Sequence, residues 1–199
     1  MTQAPELMPQ PGGKPPAPGR LHRVQDFVNT RDIEGGTDTL GTPEALAPWL
    51  RVRGLIDPDD PPADASDLER AIELREALRT LCAANHDAQP PPSDAVATVE
   101  AAARHAALTV VRDPYVGWHL QPQTFGVGRG LGRLLAVVYD AIATDRWWRL
   151  KACSNDACRW VFWDGSPNRA GRWCAMAICG NRAKVTAYRD RAEPGASDG

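Results

Sequence analysis

The sequence has no long apolar stretch. Trp173–Cys179 and Leu134–Tyr139 are the longest purely apolar runs, far short of the roughly 20 residues a membrane helix needs, so no membrane partner is expected. An apolar signal-peptide region is also missing. The first twenty residues hold six prolines and three glycines, which predicts a disordered leader (1–20) and not a signal peptide. Residues 192–199 read as a disordered tail. Cysteine is scarce, at five in 199 residues. Without an export signal the expected compartment is the reducing cytoplasm, where clustered cysteines bind metal more often than they form disulfides. No Ser/His/Asp or Cys/His arrangement emerges from the spacing, and the acidic residues between 57 and 76 read as solubilising surface. The expectation is therefore a protein that is not an enzyme. "GVGRGLG" (Gly126–Gly132) lacks the Lys-Ser/Thr step of a phosphate loop and follows no βαβ unit. It reads as a flexible entry to the helix behind it.

A net charge of −2 with 43% hydrophobic residues describes a folded chain, neither fibrous nor wholly disordered. The small net charge hides a division. Arg146–Arg191 carries ten Lys/Arg against three Asp/Glu, and the remaining residues carry 13 against 22. A basic block beside an acidic body suits nucleic acid, and equally suits complementarity within the molecule.

Residues 21–145 read as a mainly helical body with a small sheet. "RVQDFVNTRD" (Arg23–Asp32) is a short strand or a helix start, ended by Asn29 and Thr30. A capped turn is the better reading of Asn29-Thr30-Arg31; polar lining of a small-molecule pocket is the other. Thr42 and Pro43 open a helix that Gly54 stops, with Pro48 weakening it. Ser66 and Glu69 form a capping box for a helix to about Ala84. Ser93 starts another through Ala106. Leu108–Arg112 and Gly117–Gln121 form a hairpin about Asp113-Pro114. Leu131, Leu134, Leu135, Val138 and Ile142 then mark an amphipathic helix.

The four remaining informative residues are cysteines: Cys153-x4-Cys158-x15-Cys174-x4-Cys179. Two close pairs let two tight turns deliver four sulfurs to one zinc ion, and four thiolates leave no open position, so the site is structural. The intervening "RWVFWDGSPNRAGRW" predicts a strand, a turn at Asp164–Pro167 and a return. Gly180 is expected to let the backbone approach the metal. Asn181 is expected to cap a helix through about Arg191 whose N–H groups favour the thiolates. Cys82 reads as a small buried hydrophobe. Trp160, Phe162, Trp163 and Trp173 read as the core of a small lobe, with base stacking as the other reading. Trp147 and Trp148 are expected to seat that lobe on the body.

"CRWVFWDGS" followed by "RWC" and "CGNRAK" resembles the CGNR zinc finger, over about residues 149–191. The body, with its "DFVNTRD" opening, is similar to the ABATE domain that accompanies that finger in bacterial proteins. The family is described as stress-induced transcriptional regulators and also as RNA-binding, so the resemblance implies nucleic acid. Where the family usually reads Ser-Arg-Arg before Trp-Cys, this chain has Ala170-Gly171-Arg172, removing one expected basic contact.

The expectation is an α+β protein in which a mainly helical body (21–145) precedes a hairpin-and-helix zinc finger (146–191). The body would sense a small-molecule effector or form a homodimer. The finger would contact nucleic acid, DNA first, through Arg169, Arg172, Arg182, Lys184, Arg189 and Arg191. The alternatives are RNA, and a structural zinc lobe for protein–protein interaction. A body ending near Asp145 is expected to fold without the finger.

Overall fold

Local sequence sets most of the helices. The computed structural model describes residues 8–86 and 90–185. α1 (Leu21–Val28) buries Val24, Phe27 and Val28 and stops at Asn29, so the opening motif is a helix and not a strand. α2 (Pro43–Val52) starts at Thr42-Pro43, accommodates Pro48 inside, and is followed by Gly54 at φ 63°. α3 (Ala65–Ala84) is capped two residues earlier than the sequence suggested. Asp64 accepts from the Asp67 N–H at 2.8 Å, and Asp67 returns the bond to the Asp64 N–H at 3.2 Å. Aspartate caps as well as serine, and Ser66 instead donates to Asp64 at 2.8 Å. α4 is Ser93–His105 and α5 is Gly126–Ala143.

Three separate two-stranded antiparallel ladders replace a single sheet. β1 (Arg31–Asp32) pairs with β2 (Thr37–Asp38), and β3 (Thr109–Asp113) with β4 (Gly117–Gln121). β5 (Leu150–Ala152) pairs with β6 (Val161–Trp163), so that Leu150 faces Trp163 and Ala152 faces Val161.

The glycine-rich entry to α5 is the buried first half of that helix, not a flexible lead. A Cβ on Gly130 would come within 2.9 Å of Ile56 and 3.1 Å of Leu50. One on Gly132 would come within 2.7 Å of both Ala106 and Pro122. The missing side chains let α5 approach its neighbours, which outweighs glycine's poor helix propensity.

One core runs through body and finger. It joins Phe27, Leu50, Leu74, Leu78 and Leu134 to Trp147, Leu150, Ala152 and Val161. Trp147 is seated in it, whereas Trp148 is 45% exposed. From Met8 onward the proline-rich segment is also placed, contrary to the expectation of a disordered leader. Ala17 is buried, and its N–H donates to Gln25 Oε1 at 2.7 Å. Proline has little backbone freedom to lose, so ordering such a segment costs less than its low hydrophobicity suggests. Residues 1–7 and the expected tail at 192–199 lie outside the described residues. Among the described residues, no helix is long and apolar enough to cross a membrane.

Candidate metal centre

The first cysteine pair occupies the turn of the β5–β6 hairpin. The strand partner of β6 therefore lies upstream of Cys153, not in the returning segment. The Cys153 N–H donates to the Trp160 carbonyl at 2.9 Å. The N–H groups of Cys158 and Arg159 both donate to the Asn155 carbonyl at 2.9 Å. Closing the turn this tightly puts Arg159 at φ 48°, a left-handed conformation rare outside glycine.

The return from β6 is an irregular loop organised by a buried ion pair. Lys151 and Asp164 are each 2% exposed, and Lys151 Nζ donates to Asp164 Oδ2 at 3.1 Å and to the Arg169 carbonyl. Asp164 also accepts from Ser166 Oγ at 2.6 Å and from the Gly171 N–H at 2.8 Å. Burial alone would raise its pKa; these donors hold it instead at about 2. A Cβ at Gly171 would lie 2.7 Å from that carboxylate, which gives the Ala-Gly-Arg departure a packing role.

The second pair is set by a π-helical turn, Met176–Gly180. Ala175 is extended, and its carbonyl accepts from Cys179 N at 3.0 Å and from Gly180 N at 3.3 Å, the latter five residues on. The wider turn matches the five-residue cysteine step. Residues 181–185 continue as α-helix. Asn181 is inside this helix and donates to the Ala177 carbonyl at 3.1 Å, so it is not an N-cap. A side chain at Gly180 would strike Met176 and Trp173, so its smallness serves packing beside the site.

All four Sγ atoms lie within 4.8 Å of one another, and all four cysteines are buried. The Cys158–Cys174 and Cys174–Cys179 sulfurs are 3.6 Å apart, close to the edge of about 3.8 Å for a tetrahedron with Zn–S bonds of about 2.3 Å. The donor chemistry fits as well. Hydrogen bonds from the Cys158 and Cys174 thiols push the Cys153 pKa down, and the bonds of Cys174 to the Cys153 and Cys158 sulfurs push its own up. Four thiolates at this spacing repel one another unless a cation sits among them. Backbone N–H groups of Cys174 and Asn155 stabilise the Cys153 sulfur, and Asn155 Nδ2 lies 3.7 Å from Cys179 Sγ. The N–H donors thus come from the turns, not from a helix start at Asn181. Cys153, Cys158, Cys174 and Cys179 form a closed donor set for one structural zinc ion, and Cys82 stands apart, fully buried in the main core.

Around the metal site, Phe162 is 1% exposed, and Trp160 and Trp173 pack beside it. Trp163 packs on the main core. These aromatics build the lobe.

The finger is fastened to the body by polar side chains that the sequence did not single out for this. Asn29 is 2% exposed. Its Nδ2 donates to the Val161 carbonyl at 2.7 Å, and the Val161 N–H donates to its Oδ1 at 2.8 Å. The motif around Asn29 is thus a latch on β6, not a pocket lining. Arg79 on α3 donates to the Arg159 carbonyl at 3.0 Å and the Val28 carbonyl at 2.7 Å. Asn85 donates to the carbonyls of Trp147 and Leu150 at 3.0 and 2.9 Å. From the amino-terminal segment, Lys14 donates to the Trp173 carbonyl at 2.6 Å, with its Nζ 3.9 Å from the Phe162 ring centre. Trp160 Nε1 donates to Gln10 at 3.1 Å.

The expected nucleic-acid contacts divide. Arg172 and Lys184 are exposed. Arg169 pairs with Asp145, and Arg182 with Glu34, both partners belonging to the body. Arg189 and Arg191 lie outside the described residues.

Comparison with known families agrees with this geometry. The model of the ABATE family, described as "Putative stress-induced transcription regulator", matches residues 21–145, and that of the CGNR zinc finger matches 149–192. No curated protein matches the chain. The chain belongs to the ABATE family and carries a CGNR zinc finger behind the ABATE domain.

Proposed function

We propose that this protein is a cytoplasmic transcriptional regulator that binds DNA through the zinc finger and works by binding, not by turnover. The observation that carries the reading is the uninterrupted path from the zinc-held turn into a helix with Arg182 and Lys184 exposed. Metal, hairpin and body fix the start of that helix, so its basic side chains have a rigid base from which to meet phosphates. Arg169, Arg172, Arg189 and Arg191 complete the proposed contact set. The body senses a signal or forms a homodimer.

The ion pairs of Arg169 and Arg182 favour a second reading, in which the finger is a structural or protein-interaction lobe docked on an acidic body. Both pairs are solvent-exposed, however, and exchange of such carboxylates for phosphates costs little. The deciding experiment is titration of the zinc-loaded protein with duplex DNA at several salt concentrations. Lys184→Ala and Arg172→Ala should each weaken binding to all sequences and lower the salt slope by about one unit. Unchanged affinity and slope in both variants would move the contact surface elsewhere. Competition by single-stranded RNA that depends on the 2′-OH would assign the surface to RNA.

A further inference from the structure

Away from the metal, a cavity of about 510 Å³ opens between the start of α1, the β3–β4 hairpin and the middle of α5. Its lining carries four arginines, Arg20, Arg23, Arg112 and Arg133, with His119, against two aspartates, Asp113 and Asp140. Asp113 is engaged by the N–H groups of Tyr115 and Val116, at 2.7 and 2.8 Å. Arg133 donates to the Leu55 carbonyl at 3.0 Å and lies 3.4 Å from Asp57. Arg20, Arg23 and Arg112 have no ion-pair partner among the described residues. Arg23 is the most telling, because its Nε is buried with no hydrogen-bond partner. Burial and the guanidinium groups of Arg20 and Arg133 also depress its pKa.

Gathering four guanidinium groups against two carboxylates leaves an excess of positive charge that is unfavourable in the folded chain, and a buried donor left unmatched adds to the cost. Such a cluster becomes favourable when an oxyanion fills it. Groups arriving from three elements suit the tetrahedral oxygens of phosphate better than the planar pair of a carboxylate. The cavity is larger than a bare anion needs, in the range of small-molecule sites, and Leu55, Ala136 and Val137 give it an apolar wall. We propose that this cavity binds a small organic phosphate, its dianion held by Arg23 together with Arg20, Arg112 and Arg133, and its organic part against the apolar wall. Arg23 shares its short helix with Gln25, which donates to the Val161 carbonyl at 3.2 Å, and precedes Asn29, which grips the same residue. An occupant therefore bears on the helix that holds the finger.

The test is calorimetric titration of the zinc-loaded full chain with glucose 6-phosphate, inorganic phosphate and succinate at constant ionic strength. Glucose 6-phosphate should bind saturably at one site, inorganic phosphate should compete with it, and succinate should bind more weakly. Arg23→Gln and Arg112→Gln should each lose about tenfold or more in affinity. Because Arg23 has no partner to lose, its variant should melt no lower than the wild type without ligand, yet gain less stability from phosphate. The proposal is overturned if neither phosphate binds saturably up to about 10 mM, if succinate binds as tightly as the phosphates, or if both variants bind like the wild type.

Discussion

Cys174 and Asn29 show what single side chains contribute here. Replacing Cys174 with Ser removes one of four donors from a closed set, so zinc content should fall from one per chain toward none by metal analysis. Cys82→Ser should retain the zinc, because burial pushes that thiol's pKa up and keeps it a neutral core residue. Asn29→Ala should cost about 1–3 kcal/mol in denaturant unfolding, since the Val161 N–H loses its side-chain acceptor while Gln25 still serves the carbonyl. The cysteines were legible because each pair is local and chemically singular. Asn29 was not, because its partner lies 132 residues away and an asparagine after a helix reads equally well as a turn. Lys151 and Asp164 were hidden for a similar reason: in sequence each is an ordinary charged residue, and only the fold buries them together.

Among the elements, the β5–β6 hairpin and α5 depart most from their sequence signatures. Periodicity located α5 but misread its first half, because glycine marks flexibility in isolation and close approach in a packed helix. Gly132→Ala tests this. Alanine favours a helix by about 1 kcal/mol, but the new Cβ would press on Ala106 and Pro122 at 2.7 Å. A net loss of about 1–3 kcal/mol is expected by thermal unfolding. In the finger loop, Asp164→Asn should cost about 3–5 kcal/mol at neutral pH, because it leaves Lys151 buried without its counter-charge. The native carboxyl is held at about 2, below its ordinary 3.8. Its stabilising effect is therefore full above pH 4 and is lost as the pH falls toward 2. Urea unfolding of wild type and variant between those limits should converge.

For the whole molecule, division into a self-sufficient body and an appended finger does not survive the packing. Composition and charge change near residue 146, and the two family matches divide there too, but the apolar contacts cross the boundary. Ending the chain at Asp145 would strip Trp147, Leu150, Ala152 and Val161 from the core shared with Leu78 and Leu134. It would also strand Asn29 and Asn85 without the backbone groups they serve, and take from Arg79 its bond to the Arg159 carbonyl. Contrary to the expectation from sequence, the truncated chain should bind hydrophobic dye and unfold without a sharp transition. The same coupling makes zinc a stabiliser of the body as well as of the finger. The most direct measurement follows unfolding with and without chelator by hydrogen exchange at the amides of Leu78 and Leu134, some way from the metal. The account predicts that zinc removal under reducing conditions lowers protection at both amides along with that of β6. Full protection of Leu78 and Leu134 in a chain whose β6 has lost its own would contradict it, and would return the finger to the status of a separate lobe.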